Sequence, residues 1–263
     1  MSNDEFLNIT VEAAIAASNI IMEDFPKIKN PKFKSKIDLV TRTDLKSEKI
    51  IKKIILSKYP NHSILAEESG KNETKSNYLW IIDPIDGTTN YVHGCPPFSI
   101  SIALYHYNIP IVAVVLELPV LKLYTAIKDK GAWCEGKSIQ CSTTKKIRKS
   151  LLVTGFSYNQ DKYWEHNMNL FKTLTKSSQG VRRFGSAALD LCFVAEGKLD
   201  GFWEYDLHPW DTAAGILIAK EAGCKITKLN GKSYSIYDNN ILVTNGNIHN
   251  EIINIISNVK IDF

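Results

Sequence analysis

The segment Trp80-Ile-Ile-Asp-Pro-Ile-Asp-Gly-Thr-Thr-Asn-Tyr-Val-His-Gly94 constrains this chain more than any other. Its apolar start describes a strand buried on both faces, and that strand runs without a break into Asp83, Pro84 and Asp86. A carboxylate at a strand end is rigidly held. A second one three residues on can share its ion once the chain turns at Pro-Ile. Gly87 and Thr88 then present free backbone N–H groups if a helix starts there, a ready place for phosphate. Asp-Pro and Asp-Gly are also ordinary turn signals. What sets this run apart is Glu67 and Glu68, placed directly after another apolar strand, Ile64 to Ala66. Adjacent carboxylates there repel unless cations neutralise them or both face solvent. No His/Cys ligand set accompanies them, so a hard, oxygen-ligated cation such as Mg²⁺ fits the pattern better than zinc.

A further carboxylate, Asp211, stands in His208-Pro-Trp-Asp-Thr-Ala-Ala-Gly215 at the start of an apolar helix. As a helix cap it needs no ligand; pointed at the other carboxylates it completes an oxygen shell. His93 and His208 read as structural or rim histidines, and Trp80, Tyr91 and Trp210 as packing aromatics. Cys95 reads as a small buried apolar residue.

Around these segments, helices and strands alternate without internal repeats. Ile9, Ala13, Ala16 and Ile20 predict an amphipathic helix over about 5–24, followed by a loop through Pro26 and Pro31. Ile51, Ile54, Ile55 and Tyr59 predict a second helix from Asp44, capped by Thr43 or Asp44 and ended by Pro60 and Asn61. Strands are predicted at 63–66, 78–82, 98–105, 111–118 and 123–126. The polar stretch 142–149 separates a second half with strands at 151–154, 201–205 and 241–244 and helices at 163–174, 187–195 and 212–222. The predicted architecture is mixed α/β, an α+β arrangement of layered sheets and helices, in two halves, 1–145 and 146–263, that share an interface.

Of 263 residues, 44% are apolar and 23% charged, which excludes a disordered or low-complexity chain. The net charge of +4 hides an internal contrast. Residues 27–58 hold 11 basic side chains against Asp38, Asp44 and Glu48, a local +8, so the rest nets −4. Because those lysines alternate with apolar residues at helical spacing, a solvated helix face accounts for them and a nucleic-acid partner is disfavoured. The five cysteines contain no CxxC pair, which argues against a disulfide framework or a thiolate metal site. The apolar stretch 13–21 lacks a basic flank, and the longest apolar run, 109–121, is too short to span a membrane. A soluble, cytoplasmic protein with no membrane partner is the expectation.

Asp83-Pro-Ile-Asp-Gly-Thr-Thr-Asn90, the upstream Glu67-Glu68-Ser69 and the downstream Trp210-Asp211-Thr-Ala-Ala-Gly215 together resemble the inositol monophosphatase family. The likeness extends from Asp38-Leu-Val-Thr-Arg-Thr-Asp44 through Arg182-Arg-Phe-Gly-Ser-Ala-Ala-Leu-Asp190 to Glu221-Ala-Gly223. It implies a layered αβαβα sandwich of the inositol monophosphatase / fructose-1,6-bisphosphatase type, Mg²⁺-dependent and lithium-sensitive hydrolysis of a small phosphomonoester, inositol 1-phosphate first, and a homodimer. Carried over, it makes Glu67, Asp83, Asp86 and Asp211 side-chain metal ligands and the Ile85 carbonyl a backbone ligand. Glu67 and Thr88 would orient the attacking water, and Asp44 would hold the Thr88 hydroxyl. Gly87 and Thr88 would bind phosphate; Asp86, Ala187 and Glu204 would meet the polyol. Fructose-1,6-bisphosphate, histidinol-phosphate and NADP phosphatases share this metal site, and a regulatory role near RNA or the transcription machinery is the alternative from another class. Two departures stand out: Cys224 replaces the second glycine of the family's common Glu-Ala-Gly-Gly, predicting an altered turn, and the loop 69–77 is short. The stretch Gly155-Phe-Ser-Tyr158 also differs among members.

Overall fold

The structure is a computed structural model that describes residues 2–25, 32–33, 39–157 and 161–259. The predicted loop at Pro26 and Pro31, the motif residue Asp38, Tyr158 and part of the basic stretch lie outside the described residues. In chain order the elements are α1 (Asn3–Asp24), β1 (Lys32–Phe33), β2 (Leu39–Val40), α2 (Arg42–Lys58), β3 (Ser63–Ala66), β4 (Gly70–Asn72), β5 (Tyr78–Asp86) and α3 (Thr88–His93). They continue with β6 (Phe98–His106), β7 (Ile109–Leu118), β8 (Lys122–Ile127), β9 (Gly131–Cys134), β10 (Lys137–Ser138), β11 (Leu151–Thr154), α4 (Lys162–Ser177) and β12 (Gly180–Arg182). The last are α5 (Ala187–Ala195), β13 (Gly201–Tyr205), α6 (Pro209–Glu221), β14 (Lys225–Thr227), β15 (Asn240–Thr244) and α7 (His249–Ser257).

Strands β3–β10 form one sheet in the order β10-β9-β8-β7-β6-β5-β3-β4, antiparallel throughout except for the parallel pair β3–β5. A second sheet, β12-β11-β13-β15-β14, is parallel from β12 to β13 and antiparallel beyond. The period-two alternation of β5 explains the layering: Trp80 and Ile82 join α1 and α2 on one face, and Ile81 joins α5 and α6 on the other. The far face of α5 and α6 meets Val153, Phe202 and Val243 of the second sheet, whose outer face carries α4 and α7 through Leu170, Leu174, Ile252 and Ile256. The order is helices, sheet, helices, sheet, helices, a mixed α/β fold in five layers.

Several boundaries differ from the sequence expectation for identifiable reasons. The buried stripe of α1 is Phe6, Ile9, Ala13, Ala17 and Ile21, while Ala16 and Ile20 sit at its edge. This helix is long and apolar enough to cross a membrane by composition, and here that apolar face packs on the first sheet. Helix α2 is capped by Thr41, not Thr43 or Asp44; Asp44 completes the box by accepting the Thr41 N–H at 2.8 Å. The short polar loop after Glu68 contains the edge strand β4, whose Gly70, Lys71 and Asn72 carry no apolar alternation to announce it. Cys224 leaves the turn after α6 intact, because Gly223 alone supplies the left-handed backbone at φ 87°. Cys95 is exposed rather than buried, since it follows α3 on a surface turn.

Candidate active site

Parallel pairing of β3 with β5 brings their C-terminal ends together, with Ala66 opposite Ile82. The chain continues as Glu67, whose N–H donates to the Ile82 carbonyl at 3.1 Å, and as Asp83 beside it. Beyond Asp83 the register with β6 shifts, and after this bulge Asp86 pairs with Ser99, past the point where β3 ends. The Ile85 N–H donates to Asp83 Oδ1 at 3.0 Å, fixing the turn. Gly87 follows at φ 93°; a Cβ there would lie 3.0 Å from the Gly185 carbonyl oxygen, so glycine meets both demands at this position.

One cavity of about 130 Å³ opens at this point. Glu67, Asp83, Ile85, Asp86, Gly87, Thr88, Ala187, Glu204 and Asp211 all line it. The remaining predicted residue, Asp44, is fully buried behind the wall: its Oδ1 lies 3.2 Å from the Thr88 hydroxyl, which is also 3.0 Å from the Ile85 carbonyl. Because α3 is only one and a half turns long, any anion held near Thr88 depends on individual N–H groups more than on a helix dipole. Asp211 occupies the first turn of α6 and accepts the His208 N–H at 2.7 Å, so it is both the helix cap and part of the cavity wall. Asp86 is tied to the second half of the chain, accepting from the Ser186 hydroxyl and from the Ala188 N–H at 2.8 Å.

The electrostatics are those of crowded negative charge. Burial, then the charges of Glu67, Asp86 and Asp211, raise Asp83 well above the carboxylate range. Burial and then the Asp86 charge do the same to Asp211. Asp86 is raised to about 6 by burial, against hydrogen bonds from Ser186 and Ala188 that lower it. Asp44 also rises to about 6 through burial, opposed by its bonds from Thr41. Among the described residues, no three His, Cys, Asp or Glu side chains are already drawn together as a metal cage. The carboxylates line one wall, and two of them, Asp83 and Glu67, are close enough to share a hydrogen bond. Their donor set is all oxygen, and burial makes Asp83, Asp86 and Asp211 costly to ionise without compensation, the chemistry that fits a hard divalent cation.

Other predicted neighbours stay out of the cavity. Glu68 is held aside, its N–H donating to Glu48 Oε2 at 2.9 Å. His93 is exposed, and His208 is exposed with its ring stacked on Trp210 at 4.8 Å. Trp80 and Tyr91 are core residues.

Beside Ala187 and Glu204 the cavity is also lined by Asp190 and Gly155, to which the sequence assigned no role. Asp190, only 1% exposed, projects from α5 with neither carboxylate oxygen hydrogen-bonded. Burial, then Glu204 and Asp86, raise it well above its ordinary range, while Arg183 opposes. Glu204 is raised to about 8 by burial and then by Asp86, opposed by Arg183 and by a bond from the Gly155 backbone. A Cβ on Gly155 would fall 2.2 Å from Glu204 Oε1, so a larger residue there has to displace that carboxylate. One sequence signal pointed here: Asp190 is the single charge in the otherwise apolar helix Ala-Ala-Leu-Asp-Leu-Cys-Phe-Val-Ala.

A profile described as the inositol monophosphatase family matches residues 2–260. Inositol-1-monophosphatase of Synechocystis is 43% identical, over 94% of this chain and 87% of its own. Nus factor SuhB of Pasteurella multocida is 37% identical over 94% of each chain. The solved structure of inositol monophosphatase from Anabaena superposes with a TM-score of 0.89 at 40% identity, covering 98% of both chains. Likeness of this extent, in sequence and in fold, spans both sheets and every wall of the cavity, and the chain belongs to the inositol monophosphatase family.

Proposed function

We propose that this chain hydrolyses a small phosphomonoester, with inositol 1-phosphate as the foremost substrate, in a Mg²⁺-dependent reaction. The observation that carries the reading is the concentration of Glu67, Asp83, Asp86 and Asp211 around one small cavity, where burial and neighbouring negative charge penalise the ionised forms of Asp83, Asp86 and Asp211. Glu67, Asp83, the Ile85 carbonyl, Asp86 and Asp211 would hold the cation. Bound there, a divalent ion polarises a phosphoryl group and makes a water more acidic. The protein's own part is positional. Asp44 accepts a hydrogen bond from the Thr88 hydroxyl, which aims the Thr88 oxygen so that, with Glu67, it would orient the attacking water. Backbone N–H groups of Gly87 and Thr88 would hold the phosphate, and Asp86, Ala187 and Glu204, which line the same cavity, would meet the polyol. Lithium inhibition and a homodimer belong to the same reading.

Phosphate release across inositol, fructose-1,6-bis-, histidinol and NADP phosphates, with Mg²⁺ and with or without Li⁺, tests this. Release from inositol 1-phosphate that Li⁺ suppresses is expected; release confined to another compound moves the substrate assignment, and none from any of them overturns the reading. The name Nus factor SuhB on a relative of equal length, with the basic stretch 27–58, supports a second reading, contact with RNA or the transcription machinery. Retention on RNA at low salt that fades as salt rises would support it.

A further inference from the structure

Two of the five cysteines are neighbours in space though distant in sequence. Cys141 lies in the segment leaving β10, and Cys224 at the exit of α6; both are half-buried, whereas Cys134 and Cys192 are buried and Cys95 is exposed. The Cys141 N–H donates to the Ala222 carbonyl at 2.9 Å, so the two segments run side by side. Cys224 follows Ala222 by two residues on the same short turn, beside Cys141. Cys141 Sγ lies 3.9 Å from the Asn245 carbonyl oxygen and 3.7 Å from the point a Cβ on Gly223 would occupy, which turns it toward the α6 exit. The Cys224 thiol donates a hydrogen bond to it.

We propose that Cys141 and Cys224 are an oxidation site, separate from the phosphatase cavity, that closes to a disulfide on exposure to peroxide. The roles of the two sulfurs differ. The hydrogen bond from Cys224 lowers the Cys141 thiol to about 7, while giving that bond, together with burial, raises Cys224. Cys141 is therefore the attacking thiolate. Its sulfur bonds to one peroxide oxygen as the O–O bond breaks; the departing hydroxide takes a proton to become water, and Cys141 is left as a sulfenic acid. The Cys224 sulfur then attacks the Cys141 sulfur, the S–O bond breaks, and the hydroxide leaves as a second water with the Cys224 proton. Two thiols are oxidised to one disulfide, and one hydrogen peroxide is reduced to two waters. Asp211 lies at the opposite end of α6, so the bridge closes without entering the cavity.

The test uses the whole chain, reduced, treated with one equivalent of hydrogen peroxide, then denatured, alkylated and weighed. The proposal expects a mass lower by two hydrogens, a linked peptide joining Cys141 to Cys224, and alkylation confined to Cys95, Cys134 and Cys192. In Cys224→Ser, with no second thiol to resolve it, the Cys141 sulfenic acid should accumulate and label with dimedone several-fold more than in the native chain. Five alkylatable thiols after treatment, a bridge that uses Cys95, or equal dimedone labelling of the two proteins would overturn it.

Discussion

Glu204 and Gly155 show how narrowly one side chain is placed. The Glu204 carboxylate accepts from the Gly155 backbone at a point where any Cβ would collide with it. Gly155→Ala therefore has to push that carboxylate out of its place in the cavity wall, where the proposed function has it meet a polyol. The expected result is a KM for a polyol phosphate raised about tenfold, the scale of one lost charged hydrogen bond, with little change for a phosphomonoester that has no hydroxyls to bind. Steady-state kinetics on the two substrate types checks it. The resemblance picks out Glu204 in the sequence, but the need for a glycine at 155 becomes visible only when β11 and β13 pair in parallel. Asp83 and Asp86 were legible because they punctuate an apolar run, and a carboxylate there has few structural uses.

At the level of elements, what could be anticipated followed the strength of the hydrophobic pattern. Strands buried on both faces, such as β5 and β6, and helix α5 announce themselves by continuous apolar residues. The edge strands β4 and β10 have no such pattern, being defined by pairing alone. Helix α7 was not anticipated although Ile252 and Ile256 stand one turn apart, because the run is short and interrupted by asparagines. The start of α2 matters most for function. Thr41 caps that helix and also donates its N–H and hydroxyl to Asp44, the residue that accepts from Thr88. Thr41→Ala should cost about 1 kcal/mol of stability through the lost cap, read by urea denaturation, and should lower kcat as Asp44 loses its fixed position. Thr41→Ser, which keeps the hydroxyl, should restore both.

On the scale of the whole molecule, the two sheets meet across α5 and α6, and Asp86, Glu204, Asp190 and Asp211 face one another across that junction. Folding thus gathers carboxyls that prefer to be uncharged. For Glu204, raised from 4.5 to about 8, the unfolded chain gives up its proton first, so the folded state holds more protons between those values and stability falls as pH rises through them. His249 is lowered to about 4 by burial between Thr227 and Thr244, and it acts in the opposite sense below its ordinary value of 6.5. Above pH 7 the Cys141 thiol, lowered to about 7, also raises stability with pH, so the Glu204 effect is read in a Cys141→Ser background between pH 6.5 and about 8. With a chelator present, stability should drop across that window by on the order of a few kcal/mol. Asp190→Asn should flatten the slope, and Mg²⁺ should offset the loss; calorimetric Tm values at several pH values decide. The most direct test of the central claim is phosphate release from inositol 1-phosphate with Mg²⁺, compared between the native chain and a folded Asp83→Asn. The account predicts a fall on the order of 10²–10³-fold or more, whereas native turnover by the Asp83→Asn protein would contradict it.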